Sequence, residues 1–440
     1  MLTRLDLRGA GDALAARLPR PQAASAPPVA EVQALLAEVR TGGDAALRDL
    51  TRRFDGVVID DIAVPAEELA TALASIETEL RTALEVAHGN ILDYHQAQVG
   101  PEVVHKGNGI SVSELRRPVD RVGLYVPSAG APLISTVLMT AVPAKVAGVP
   151  GVALCSAPGP DGRVPPGILA AAALAGVDEV YRVGGAQAIA ALAYGTDTIP
   201  AVDVIVGPGG NRVAQAKREV ASTGAVGVPS SFAGPSEVVV VADATTPVEW
   251  AAVDVVVQAE HGPDGLAWLV TWDEDIADAV TAAVARLVEA SPRRAQIEST
   301  LGEGGYAVVV DGPEEAMAVA NAIAPEHLEL MTADPEALLP LVRSAGAVFC
   351  GPWAPASVGD YLAGPSHVLP TYGSARFSSA LRVDDFLKHI HVISLDADAL
   401  AQAGPHVAAL ATAEGLAAHA LSVHLRMETI GPSGPAAGPE

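Results

Sequence analysis

The chain is short of cysteine, of aromatic residues and of positive charge, and each shortage removes a class of function. Two cysteines in 440 residues, Cys155 and Cys350, provide neither a disulfide framework nor a thiolate zinc site. Both stand in apolar stretches and are expected as buried thiols in a reducing compartment. Lys and Arg number 27 against 52 Asp and Glu, a formal net charge of −25. A surface of that sign repels phosphate backbones and anionic lipid, so neither nucleic acid nor membrane is an expected partner. No apolar run, residues 167–177 included, approaches the about 20 residues that span a bilayer. The opening Met1 to Asp6 lacks the apolar stretch of a signal peptide. A soluble, cytoplasmic protein is expected. The dinucleotide fingerprint G-x-G-x-x-G is also missing. Gly207-Pro208-Gly209-Gly210 follows a strand pattern and precedes a helix pattern, which suits a phosphate or an unliganded tight turn equally.

What is abundant is small and apolar. Half the residues are hydrophobic and only 4 % aromatic, as in α/β proteins where Ala, Val and Gly fill helix–sheet contacts. The length allows two or three domains. Residues 29–54 and 65–99 carry apolar positions at helical spacing. From Val122 short β-branched runs alternate with Ala-rich runs. Strands are expected at 122–126, 152–155, 179–183 and 202–206, then at 237–242, 267–271, 306–310 and 347–350. Helices are expected between them at 136–147, 167–175, 186–194, 213–222, 247–258, 274–290, 313–322 and 335–344. Such alternation implies α/β architecture with parallel sheets and helices on both faces, here in two Rossmann-like lobes. Residues 407–427 suggest one or two amphipathic helices. The Pro/Gly/Ala-rich 431–440 is expected to be a disordered tail.

Four segments place polar residues in apolar surroundings. Gln258-Ala259-Glu260-His261 closes a helix pattern, and its i, i+3 amide and imidazole either hold a metal ion or simply cap the helix. Glu326-His327 opens an apolar run, as a general-base pair or a solvated pair. Residues 359–371, punctuated by Gly and Pro, hold Asp360 and His367 either rigidly for chemistry or in an ordinary turn. Glu414 and His419 lie on an amphipathic C-terminal stretch, where two solvated residues are equally in keeping. Together, one Gln, one Asp and two His form a chemically sensible zinc set that leaves the ion a net positive charge.

These segments, in this order and spacing, resemble the histidinol dehydrogenase family. The resemblance extends from Val122-Gly123-Leu124-Tyr125-Val126-Pro127 to Arg426. It includes Ser135-Thr136-Val137-Leu138-Met139, Gly184-Gly185-Ala186-Gln187, Ala233-Gly234-Pro235-Ser236-Glu237 and Ala375-Arg376-Phe377-Ser378-Ser379. It implies a zinc-dependent, NAD-linked oxidation of L-histidinol to L-histidine by a homodimer with shared sites. Gln258, His261, Asp360 and His419 match the family's zinc ligands, and Glu326 and His327 its acid–base pair. Ser236, His367 and Glu414 match substrate-positioning residues; the four zinc ligands and His327 are expected at the substrate too. Tyr125 and Gln187 match NAD contacts, and Asn211 stands one position beyond the family's usual Asn. Ser366 replaces a common Asn, and Ser128-Ala129-Gly130 a common double Gly. The implied fold is two incomplete Rossmann-like lobes, one from 25–124 with 237–380 and one from 125–236. An N-terminal segment at 1–24 and a helical C-terminal unit at 381–430 complete it.

Overall fold

The computed structural model describes residues 2–19, 28–128, 132–229, 236–260 and 265–430. His261, Ala129, Gly130, the stretch 233–235, residues 20–27 and the tail 431–440 therefore lie outside the described residues. The chain forms a large unit, Met1–Val99 with Val119–Phe386, and a small unit, Gly100–Pro118 with Leu387–Glu440.

In chain order the first elements are β1 (Thr3–Asp6), the single turn α1 (Leu14–Arg17), α2 (Val29–Phe54), α3 (Ala66–Ser75) and α4 (Thr78–Ala97). Next come β2 (Val104–Gly107) and β3 (Ile110–Pro118) of the small unit. The first alternating run is β4 (Arg121–Tyr125), α5 (Ile134–Val146), β5 (Gly151–Cys155), α6 (Pro166–Leu174), β6 (Glu179–Tyr181), α7 (Gly185–Tyr194), β7 (Val204–Val206) and α8 (Asn211–Ser222). The second is β8 (Glu237–Ala242), α9 (Val248–Ala259), β9 (Leu266–Thr271), α10 (Glu274–Ala290), α11 (Arg294–Gly304), β10 (Gly305–Val309), α12 (Pro313–Ile323), β11 (His327–Met331), β12 (Ala347–Cys350) and α13 (Ala356–Tyr361). The small unit closes the chain with β13 (Leu387–Leu395), α14 (Ala397–Ala413) and α15 (Ala417–Ile430).

The expected α/β class with parallel sheets is what the chain adopts. One sheet has the order β6-β5-β4-β7 and another the order β1-β10-β9-β8-β11-β12, every pairing in both being parallel. Val238 to Ala242 is fully buried because helices cover both faces, which explains its continuous apolar run. Most expected strands and helices lie within a few residues of the observed ones. The stretch 335–344 differs: Pro340 lacks the amide a helix needs there, and Glu336–Leu341 is a 3-10 turn. Helix α11 and strand β1 carried too little periodicity to be read.

The packing divides differently from the lobes expected. Helices α2, α3 and α4 cover the four-stranded sheet, against α7, α6 and α5 respectively. The apolar stripe Val32, Leu35, Val39, Leu47 and Leu50 shares one core with Tyr125, Cys155 and Leu192. Strand β4 is central in that same sheet, whereas β1 pairs with β10 at the edge of the other. Burial of the α2 stripe thus assigns residues 29–97 to the 121–222 layer and not to the 237–350 sheet.

The small unit is not purely helical, as 381–430 was expected to be. Strands β2, β3 and β13 form an antiparallel sheet, with Leu387 to Leu395 paired along the whole of β3. Asn108 and Gly109, both at positive φ, make the two-residue turn between β2 and β3. Exposed residues dominate β13, so hydrophobic alternation is weak there. Helices α14 and α15 pack as a hairpin around Ala408, Ala411 and Ala420. Among the described residues no helix is long and apolar enough to cross a membrane.

Candidate active site

The carboxyl edge of the four-stranded sheet is shaped by backbone. Gly207 holds φ of +110°, and a Cβ there would collide with the Tyr125 carbonyl oxygen. Fully buried Lys217 donates to the Gly207 carbonyl at 2.7 Å, and burial pushes its pKa down to about 8. Tyr125 ends β4, and its hydroxyl accepts from the Gly185 amide at 3.1 Å. Burial raises the Tyr125 pKa to about 12. A Cβ on Gly209 would stand 3.3 Å from the Tyr125 ring, so that ring spans the turns before α7 and α8. Gln187 is buried in the first turn of α7, and Asn211 is exposed at the start of α8. The three residues matched to cofactor contacts therefore gather at this edge.

The carboxylates and imidazoles gather at the opposite kind of edge, the amino ends of β8 and β11. His327 opens β11 beside Val238 and Ala347. Glu326 and His327 are buried, at 7 % and 3 % exposure. The Glu237 amide donates to Glu326 Oε2 at 2.9 Å, and the Ser236 side chain also hydrogen-bonds Glu326. His327 Nδ1 lies 3.1 Å from the Glu237 carbonyl and 3.4 Å from Gln258 Nε2. His327 Nε2 stands 3.3 Å from Asp360 Oδ1, and Nδ1 is 3.6 Å from Glu326 Oε2. The short helix α13 presents Asp360, whose carbonyl meets His367 Nδ1 at 2.9 Å. His367 Nε2 is 3.0 Å from the Thr136 hydroxyl of α5. Thr136, Pro208, Ser236, Glu326, His327, Asp360 and His367 line one pocket, so the carboxyl edge of one sheet faces the amino edge of the other.

Burial governs the electrostatics. It raises Glu326 to about 7, with Asp360 adding to the rise and His327 and the Glu237 amide opposing it. Burial and the Glu326 charge lift Glu237 to about 8. Burial opposes protonation of His327, but the Glu326 and Asp360 carboxylates outweigh it and raise His327 to about 9. A buried acid and a buried imidazole whose pKa values are moved this way are equipped for general acid–base work.

The residues matched to zinc ligands are partly assembled. Gln258 and Asp360 both contact His327. Among the described residues Gln258 Oε1 is buried without a hydrogen-bond partner, an oxygen that a cation would satisfy. His261 follows the end of α9 and lies outside the described residues, and among those described no group of three or more His, Cys, Asp and Glu is arranged to hold a metal. Glu414 caps α14 and His419 lies in the first turn of α15, both exposed in the small unit. Of the thiols, Cys155 is buried as expected, but Cys350 at the end of the edge strand β12 is exposed. Sequence reading passed over Glu237, Thr136, Asp254 and Glu329. The available signal was a carboxylate inside an apolar strand: Glu237 before Val238-Val239-Val240-Val241, and Glu329 between Leu328 and Leu330.

Comparison with known proteins points to one family. The family model described as histidinol dehydrogenase matches residues 18–427. A histidinol dehydrogenase of Geobacillus kaustophilus is 48 % identical over 395 residues, covering 90 % of this chain and 92 % of its own. One of Parasynechococcus marenigrum is 47 % identical over 397 residues, 90 % of each chain. The crystal structure of histidinol dehydrogenase from Elizabethkingia anophelis superposes with a TM-score of 0.93 at 34 % identity, covering 98 % of both chains. The chain belongs to the histidinol dehydrogenase family, the oxidoreductases of histidine biosynthesis.

Proposed function

We propose that this chain oxidises L-histidinol to L-histidine through bound L-histidinal, the last step of histidine biosynthesis, passing two hydrides to two NAD. The enzyme works as a cytoplasmic homodimer with one zinc per subunit. The observation that carries the reading is the convergence of Glu326, His327, Asp360 and Gln258 at the amino edge of β11, with a Gln258 oxygen that no described residue satisfies. Gln258, His261 and Asp360, with His419 of the partner subunit, would hold zinc. When bound, the ion would supply positive charge that holds and polarises the substrate and offsets the Asp360 carboxylate.

The chain's own groups then divide the work. His327, as a neutral imidazole, takes the carbinol proton as hydride leaves for the nicotinamide. Glu326 orients and deprotonates the water that adds to the aldehyde. Once His327 has released the first proton to solvent, the hydrate loses its hydroxyl proton to the neutral imidazole and a second hydride to a fresh NAD. Ser236, His367 and Glu414 of the partner subunit hold the substrate in reacting distance, which by itself lowers the barrier by several kcal/mol. Tyr125, Gln187 and Asn211 serve the cofactor at the edge that Gly207 and Gly185 leave open. The test is to mix purified protein, L-histidinol and NAD and follow NADH absorbance. Two NADH per histidinol are expected, and none would overturn the reading.

A further inference from the structure

Helix α5 is buried almost throughout, with Val137, Leu138, Met139, Ala141, Val142 and Ala144 closed off from solvent. Thr136 and Pro143 do something in it that the apolar positions cannot. A threonine inside a helix commonly turns its hydroxyl back on a carbonyl one turn earlier. Thr140 does so, donating to the Thr136 carbonyl at 2.7 Å. The Thr136 hydroxyl instead meets His367 Nε2 at 3.0 Å, 231 residues along the chain.

Pro143 acts through what it lacks. It has no N–H to give the Met139 carbonyl one turn earlier, so the helix leaves that oxygen open. The buried Ser366 hydroxyl donates to it at 2.9 Å. Thr136 and Met139 share one face of α5, and Ser366 and His367 are neighbours in the chain. Helix α5 therefore grips consecutive residues at two points. From another side, Asn90 of α4 donates to the Leu362 carbonyl at 2.8 Å and fixes the stretch that leads into this grip.

The grip sets the His367 ring. The Asp360 carbonyl can only accept, so its hydrogen bond of 2.9 Å with Nδ1 needs a hydrogen on that nitrogen. Turning the ring over would break this bond. Nε2 then faces α5, and a hydroxyl, which donates or accepts as required, suits it in either protonation state. Thr136 is itself fully buried, yet it and His367 line the pocket that holds Ser236, Glu326, His327 and Asp360. Valine has nearly the shape of threonine, and packing alone would favour it in this apolar helix, where a hydroxyl costs free energy unless it is bonded.

We propose that Thr136 is a positioning residue that holds the His367 imidazole in the orientation that receives the substrate, with Ser366 on the proline-freed carbonyl as the second point of attachment. The inference rests on the reading above, in which His367 contacts L-histidinol. It is tested with Thr136→Val and Thr136→Ser in the full-length chain. Tm is measured, and steady-state NADH formation is followed at saturating NAD. Thr136→Val should raise KM for L-histidinol about tenfold, as loss of one hydrogen bond behind a binding group implies. Its kcat should change far less, and its Tm should hold or rise. Thr136→Ser should recover most of that KM but lower Tm, because the missing methyl leaves a void in the core. A packing role gives the opposite order, with Val harmless and Ser harmful. An unchanged KM in Thr136→Val would overturn the proposal, and so would equal rises of KM in both variants. Either result with an active wild type leaves the dehydrogenase reading standing. Wild-type protein that forms no NADH from L-histidinol would overturn that reading and this role with it.

Discussion

His327 and Glu329 stand two residues apart on one face of β11, and Glu329 Oε1 accepts the amide of Ala356 at 3.0 Å, the first residue of the helix that carries Asp360. Glu329 also shares a hydrogen bond with Asp254 of α9, four residues before Gln258. Burial and the Asp254 charge raise the Glu329 pKa well above the usual range, so this carboxyl holds its proton. One buried acid therefore ties together the strand and the two helices that present His327, Gln258 and Asp360. Glu329→Gln preserves the shape, the acceptor and the donor, and should leave Tm and turnover near wild type. Glu329→Ala strands the Ala356 amide and the Asp254 carboxyl, at a cost of about 1–3 kcal/mol each. Its Tm and kcat should both drop; a Gln variant as damaged as the Ala variant would contradict the protonated carboxyl.

Glu237 gives the metal-free protein a pH dependence of definite sign. Its pKa is 4.5 unperturbed and about 8 in the fold, where burial and Glu326 disfavour its charge. The folded state binds the extra proton between those values. The contribution of protonated Glu237 is therefore whole below its unfolded pKa and is lost as pH rises through about 8. Thermal melts should show stability falling by a few kcal/mol from about pH 6 to about pH 9. In Glu237→Gln, which can still accept from the Tyr372 amide, the fall should be smaller.

Glu326 and His327 should separate the two half-reactions. Glu326→Gln should slow histidinal oxidation more than the first hydride transfer, because it removes the base for water. His327→Asn should slow both by roughly 100-fold or more, the usual contribution of a positioned base. NADH formation from L-histidinol and from L-histidinal, with single-turnover traces, distinguishes them. Equal losses for Glu326→Gln in both steps would reject the division of labour.

His261→Ala should lose bound zinc and turnover together, since the other set members include a single imidazole, His419, and a single carboxylate, Asp360. Metal analysis of the purified variant decides it; full metal content would remove His261 from the ligand set.

The proposed exchange of Glu414 and His419 between subunits predicts complementation. His261→Ala and His419→Ala, each inactive, should regain part of the activity when unfolded and refolded together, because one site of a mixed dimer draws every ligand from intact segments. Mixed dimers that form and stay inactive would exclude shared sites.

Alternation of β-branched and Ala-rich runs made both parallel sheets legible, because strands buried on two faces must be apolar throughout. The order of Gln258, Glu326-His327, Asp360 and His367 marked the candidate site for the same kind of reason: polar residues are conspicuous where their neighbours are apolar. Periodicity could not tell which sheet α2 covers, since an apolar stripe shows that a helix is buried and not against what. It also could not find β13, whose exposed residues carry little alternation. Only tertiary structure set the amino edge of β11 against the carboxyl edge of β4, and with it the raised pKa values of Glu237, Glu326 and His327. Those shifts come from desolvation and from charges as distant in the chain as Glu326 is from Glu237, quantities that exist only once the chain has folded.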